Sequence, residues 1–280
     1  MMDSLIDRLI DLAIAEDIGD GDHSSLSCIP SEAVGSVKLM MKQQGIVAGI
    51  GIAKLIYSKI DSGITFQPLV KDGLMLNKGD FVFNASGRVH SLLQAERIVL
   101  NVMQRMSGIA TQTSRYVKMV EGTKAKILDT RKTTPGMRVF DKLAVKIGGG
   151  ENHRMGLYDM IMLKDNHIDF AGGIDAAIIK ANEYLNKTGK TIGIEVETRN
   201  LKEVERVLFV GGVQRIMLDN FNLEDTRSAV KLIDGRFETE SSGGITLDTI
   251  RGYAECGVDY ISVGAITHQI QSIDMNLKKV

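Results

Sequence analysis

The sequence predicts an α/β protein in two parts: a small α/β domain built on an antiparallel sheet, then a parallel α/β barrel left incomplete at six strands. Three observations carry this. Between about residues 35 and 92, short alternating segments are separated by glycine turns. From about residue 125 onward, strand-length and helix-length segments alternate strictly. Each of those later strands is followed at once by charged, polar or glycine residues.

The chain opens with Leu5, Ile6, Leu9, Ile10 and Ala13 at helical spacing, which predicts an amphipathic helix over residues 3–16. Gly19, Asp20, Gly21 and Asp22 end it. Val37, Leu39 and Met41 then alternate as in a strand, and segments 79–83 and 87–90 have the same character. Residues 91–122 return to helical spacing, with Leu92, Leu93, Ile98, Val99 and Val102 along one side. The rhythm that follows predicts strands over 125–128, 160–163, 191–196, 215–218, 237–240 and 260–263. Helices over 137–147, 174–185, 201–209, 223–233 and 247–256 separate them. Helices of about three turns between strands imply right-handed crossovers and a parallel sheet. That rhythm fits an open sheet as well as a barrel. The polar residues at the strand ends favour the barrel, because a doubly wound sheet gathers its ligands near one switch point whereas a barrel lines its whole top face.

Composition narrows the function. The formal net charge is -1 over 280 residues, so no global field draws the protein to nucleic acid or anionic lipid. Two cysteines, Cys28 and Cys256, make neither a disulfide framework nor a metal knuckle. The acidic, amphipathic start lacks the pattern of a secretory signal, and the apolar stretch around residues 45–60 is too short and too interrupted to cross a bilayer. A soluble, cytoplasmic protein is expected. The fourteen methionines read as soft core packing.

Residues 129–167 carry the most chemistry. From Arg131 to Lys164 there are seven Lys or Arg and three acids, a local formal charge of +4 in a chain of net charge -1. Arg138, Lys142 and Lys146 read as a solvated helix face. The others do not: Arg131 and Lys132 end a strand before the turn Thr133-Thr134-Pro135-Gly136, His153-Arg154 follows a triple glycine, and Lys164 ends an apolar strand. Cations at strand ends suit a ligand with several anionic groups, and arginine grips carboxylate or phosphate through paired hydrogen bonds. Opposite in sign are Glu195, Glu197 and Asp219. They either pair with these cations, hold a divalent metal through hard oxygens, or stabilise positive charge on a ribosyl carbon. Ser242-Gly243-Gly244 and Gly264-Ala265, in the last two units, are suited to a phosphate. Gly189-Lys190-Thr191 precedes a strand and is no phosphate loop, and His153 and His167 lack the spacing of a helical zinc pair.

Taken together, Asp129-Thr130-Arg131-Lys132-Thr133-Thr134-Pro135-Gly136, Gly148-Gly149-Gly150-Glu151-Asn152-His153-Arg154, Lys164-Asp165-Asn166-His167, Glu195-Val196-Glu197, Leu218-Asp219-Asn220, Ser241-Ser242-Gly243-Gly244-Ile245 and the run from Gly257 to Ala265 resemble, in order and spacing, the quinolinate phosphoribosyltransferases. Ala15-Glu16-Asp17-Ile18-Gly19 with Gly21-Asp22 matches the family's opening, so the resemblance covers nearly the whole chain. It implies an N-terminal α/β sandwich domain over residues 1–110, a partly open six-stranded α/β barrel over 111–270 and a tail over 271–280. The implied reaction joins quinolinate to phosphoribosyl pyrophosphate with Mg2+, giving nicotinate mononucleotide, pyrophosphate and CO2 in de novo NAD biosynthesis. A homodimer is implied, its active sites completed by the neighbouring subunit through Arg97.

By the same resemblance Arg131, His153 and Arg154 bind quinolinate, and Thr130 belongs to the substrate-binding residues. Lys132 and Lys164 lie near donor and substrate, and Glu197 and Asp219 contact ribose and metal. Ser242, Gly243, Gly244, Val263, Gly264, Ala265 and His268 surround the 5′-phosphate. The catalytic set is then Lys132, Lys164, Glu197 and Asp219. Competing readings are a paralogue acting on another base, a Schiff-base lyase using Lys164, and a non-catalytic phosphosugar binder.

Overall fold

A computed structural model describes the chain from Met2 to Val280. It opens with α1 (Met2–Ile18) and α2 (His23–Cys28), followed by β1 (Val34–Met41), β2 (Gly45–Ile46), α3 (Ile50–Ile60), β3 (Thr65–Pro68), β4 (Met75–Leu76) and β5 (Phe81–Arg88). The long α4 (Val89–Met119) leads into the alternating region: β6 (Lys126–Leu128), α5 (Arg138–Ile147), β7 (Met160–Leu163), α6 (Asp165–Ala171), α7 (Ile174–Thr188), β8 (Gly193–Thr198), α8 (Leu201–Val210), β9 (Arg215–Asp219), α9 (Leu223–Ile233), β10 (Glu238–Ser242), α10 (Ile250–Glu255), β11 (Tyr260–Ser262), α11 (Ala265–His268) and β12 (Met275–Lys279). Local chemistry sets several helix starts. The Asp22 carboxylate accepts from the Ser24 and Ser25 backbone N–H groups to start α2, and Asn200 and Asn222 cap α8 and α9 in the same way. The helix expected from 247 begins only at Ile250, because Thr246 to Thr249 close a turn on one another first.

Two compact units are assembled from separated stretches. The first gathers the chain up to Ser114, Thr133–Gly149 and Ile266–Val280, and the second gathers Arg115–Lys132 and Gly150–Ala265. In the first unit the antiparallel sheet runs β12-β1-β5-β3. Leu39, Met41, Val82, Phe83 and Ala85 are buried in it, and Tyr57, Phe66 and Phe83 cluster with ring centroids 4.6 to 6.0 Å apart. Residues 271–280, read from sequence as a tail, carry β12, which pairs with β1 from Val37↔Lys279 to Met41↔Met275. Their short alternation becomes a strand only through that partner. Lys142, expected on a solvated face, is 1% exposed within α5, whereas Lys146 is exposed as anticipated.

The second unit holds a six-stranded parallel sheet in the order β6-β11-β10-β9-β8-β7. Among the described residues β6 and β7 share no ladder. Only a single bridge, Leu128↔Glu151, extends the β6 edge, so the barrel stays partly open there. Register fixes what faces inward. Glu195 and Glu238 both lie opposite Arg215, Glu197 and Glu240 opposite Met217, and Ser242 opposite Asp219. Side chains alternate along a strand and align across paired strands. These residues therefore form successive polar layers, where such barrels usually stack branched apolar ones. Among the described residues no helix is long and apolar enough to cross a membrane.

Candidate active site

The carboxyl ends of the six strands of the second unit deliver most of the residues expected from sequence. Thr130, Arg131 and Lys132 follow β6, and the Thr130 hydroxyl accepts the Lys132 N–H at 3.1 Å, which turns the chain at that point. Lys164 follows β7 and starts α6, its N–H donating to His167 Nδ1 at 3.1 Å. Its Nζ reaches Glu197 Oε2 of the adjacent β8 at 2.6 Å. Glu197 is one-tenth exposed and Lys164 rather less than half, so this charge pair sits at the mouth of the barrel.

Asp219 ends β9. Burial and the Glu197 carboxylate raise its pKa above the ordinary aspartate range, against the pull of Asn220, Lys164 and Lys132. Two acids and two lysines thus share one field at the ends of β6 to β9. Asn220 adopts φ 56 and donates from Nδ2 to Asp219 Oδ2 at 2.7 Å. Gly243, at φ 97, lies so close to Asn220 that a Cβ there would overlap the Asn220 side-chain oxygen. The glycine is required twice, by its backbone angle and by the space. Gly244 follows at φ 60, and Val263, Gly264 and Ala265 occupy the equivalent position after β11.

On the β6 side, His153 and Arg154 descend from the triple glycine. The His153 N–H donates to the buried Asp129 carboxylate at 2.9 Å, and the Arg154 N–H donates to His153 Nδ1 at 2.6 Å. Arg154 hydrogen-bonds the Met160 carbonyl at 3.3 Å. Burial and the neighbouring Arg131 charge both lower its pKa. Two guanidiniums within each other's field, the Arg154 one partly buried, suit a ligand with more than one anionic group.

Deeper in the barrel, His153 Nε2 lies 2.9 Å from Glu195 Oε2 and 3.5 Å from Glu240 Oε2. Arg215 Nη1 donates to Glu240 at 3.0 Å. Burial lifts Glu195 to about 7 against the Arg215 charge; burial and the Glu195 charge lift Glu240 to about 8. Sequence reading left Glu195 to pair with Arg131, Arg154 or Lys164, to hold a metal, or to face a ribosyl cation. The structure gives Lys164 to Glu197 and places Glu195 beside His153 and Arg215. Glu240, Arg215 and Asp129 were not singled out, although the alternation Glu238-Thr239-Glu240 was a visible sign of carboxylates on one strand face. Arg97 and His268 belong to the first unit, Arg97 exposed on α4 and His268 at the end of α11.

A parallel α/β barrel with mixed cations and carboxylates at its strand ends, and glycine loops after its last two sheet strands, defines an enzyme that works on polyanionic, phosphorylated substrates. Comparison with known proteins makes this specific. The model of the quinolinate phosphoribosyl transferase C-terminal domain matches residues 109–278, and that of the N-terminal domain matches residues 22–107. The chain belongs to the quinolinate phosphoribosyltransferase family. It is 44% identical over 285 residues to quinolinate phosphoribosyltransferase [decarboxylating] 1b of Nicotiana tabacum, covering 96% of this chain and 81% of that one. The same identity and coverages hold for the chloroplastic nicotinate-nucleotide pyrophosphorylase [carboxylating] of Arabidopsis thaliana. The crystal structure of NadC from Streptococcus pyogenes superposes with a TM-score of 0.92 at 39% identity, covering 98% of this chain and 97% of that one.

Proposed function

We propose that this chain is a quinolinate phosphoribosyltransferase. It transfers the phosphoribosyl group of phosphoribosyl pyrophosphate to the pyridine nitrogen of quinolinate and releases pyrophosphate and CO2, forming nicotinate mononucleotide for NAD biosynthesis. The single observation that carries this reading is the pairing of two site halves in one barrel mouth. Arg131 and Arg154 lie within each other's field and suit a dianion, and Lys164, Glu197 and Asp219 form a mixed-charge patch at the ends of β7 to β9. The first suits a dicarboxylate; the second suits a sugar carbon that becomes positive beside a departing phosphate.

In the proposed reaction the pyridine nitrogen lone pair forms the new bond to the ribosyl carbon. The carbon–oxygen bond to pyrophosphate breaks, its electrons leaving with oxygen. Glu197 and Asp219 stabilise the developing positive charge, and Lys132 and Lys164 offset the negative charge of the donor. The nitrogen is then cationic and accepts the electrons left when the adjacent carboxylate departs as CO2, after which that carbon takes up a proton. Arg131 and Arg154 hold both carboxylates in register for that step. Thr130, Ser242, Gly243, Gly244, Val263, Gly264, Ala265 and His268 are assigned to the substrate loops. Glu197 and Asp219 are two carboxylates within each other's field, a donor set that fits Mg2+ held largely by substrate phosphates. Bound there, the ion would neutralise phosphate charge. We further assign a homodimer in which the exposed Arg97 serves the partner's site, and a cytoplasmic location.

Incubation of purified protein with quinolinate, phosphoribosyl pyrophosphate and Mg2+, with nicotinate in parallel, tests the reading. Nicotinate mononucleotide and matching CO2 from quinolinate alone is the expected result. Product from nicotinate instead, or none from a folded sample, would move the assignment to another base.

A further inference from the structure

The barrel interior contains a charged group that the proposed reaction does not use. Glu195 and Glu240 are fully buried on neighbouring parts of the sheet, and neither has contact with solvent. Between them lies Arg215, whose Nη1 donates to Glu240 at 3.0 Å and lies 4.0 Å from Glu195. Its Nε and Nη2 donate to Glu238 at 3.2 and 3.0 Å, and its guanidinium lies over the Tyr260 ring at 4.0 Å. Arg215 is thus fixed on both edges and one face; it holds Glu240 by a hydrogen bond and faces Glu195 as a charge 4.0 Å away. A guanidinium already supplies the cation this cluster needs, which argues against a metal ion between His153, Glu195 and Glu240 even though their ligand atoms all lie within 4.8 Å of one another.

What the cluster touches on its upper side is His153. The Arg154 N–H donates to His153 Nδ1, so the ring proton sits on Nε2, the atom 2.9 Å from Glu195 Oε2. The ring accepts a hydrogen bond at Nδ1 from the Arg154 backbone and sets its Nε2 in close contact with the Glu195 carboxylate. We infer that Glu195 and Glu240, braced by Arg215, are positioning residues that fix His153 and, through its ring, the backbone from which Arg154 projects into the dianion grip. The chain of contacts runs from the floor of the barrel to the residue that selects the substrate's carboxylates. Floor residues would therefore affect affinity for the carboxylate-bearing substrate and leave the phosphoribosyl donor alone. This rests on the assignment of Arg154 to quinolinate made above.

Steady-state kinetics on Glu195→Ala and Glu195→Gln test it. Glutamine keeps an oxygen for the Nε2 proton, and alanine does not. Glu195→Ala should raise KM for quinolinate by about tenfold or more, while KM for phosphoribosyl pyrophosphate stays within about twofold; Glu195→Gln should recover most of the loss. In addition, 15N spectra of the histidine rings in the wild-type protein should show His153, identified by its loss in His153→Asn, as the Nε2-protonated tautomer. The tautomer is read in the wild-type protein, and His153→Asn serves only to assign its signal. A ring protonated on Nδ1, or equal rises in both KM values, would overturn the inference. Wild-type activity on quinolinate with an unchanged quinolinate KM in Glu195→Ala would overturn it alone. Wild-type protein inactive on quinolinate would overturn the substrate assignment and, with it, the link to carboxylate grip.

Discussion

Arg131 follows β6 with its charge close enough to Arg154 to add to the burial that lowers that residue's pKa, so an anionic ligand at this place would favour the charged Arg154 further. A hydrogen bond to a charged group is worth roughly 1.5–3 kcal/mol, and Arg131→Ala should therefore reduce kcat/KM for quinolinate at least about tenfold to a hundredfold. Near-normal turnover in that variant would remove Arg131 from the grip. Glu240 makes a prediction about pH. Its native pKa of about 8 and that of Glu195, about 7, exceed the ordinary 4.5, so the native chain binds more protons than the unfolded chain between those limits. Stability from these groups is complete below the unfolded pKa of 4.5, declines as pH rises from there and is fully lost above about 8. Thermal unfolding midpoints should fall over that range in the wild type and fall less in Glu240→Gln. At this scale the sequence was legible in placing Arg131, Lys164 and Asp219 at the carboxyl ends of parallel strands. It was silent on Arg215 and Glu240, whose meaning comes from strand register between β9 and β10.

Among elements, the parallel strands and their helices were readable because each carries its own period. The strand over 160–163 and the helix over 223–233 match β7 and α9 residue for residue. β12 was not readable, since five residues ending in two lysines acquire strand character only beside β1. The burial of Lys142 also escaped, because helical spacing tells which residues share a face but not what lies against that face. The loop after β10 gives a direct test. Gly243→Ala forces a Cβ against Asn220 in a backbone conformation that alanine resists. Since Asn220 holds Asp219, the variant should lose affinity for phosphoribosyl pyrophosphate more than for quinolinate. Binding titrations with each substrate would show this, and equal losses would point to general unfolding.

For the whole molecule, the proposed trans role of Arg97 predicts complementation. Arg97→Ala and Arg131→Ala proteins should each be nearly inactive, and an equal mixture after subunit exchange should recover about one quarter of wild-type turnover through its hybrid dimers. No recovery after exchange is verified by mass would confine Arg97 to its own chain. The pairing of β1 with β12 has a consequence for how the protein is made. A ribosome delivers residues 34–41 long before residues 275–279, with the entire parallel sheet synthesised between them. The first unit's sheet therefore stays one strand short while that parallel sheet is being made, its β1 edge bare beside the nascent chain. Until the segment that completes this sheet has been synthesised, the exposed edge is where a chaperone would have most to protect.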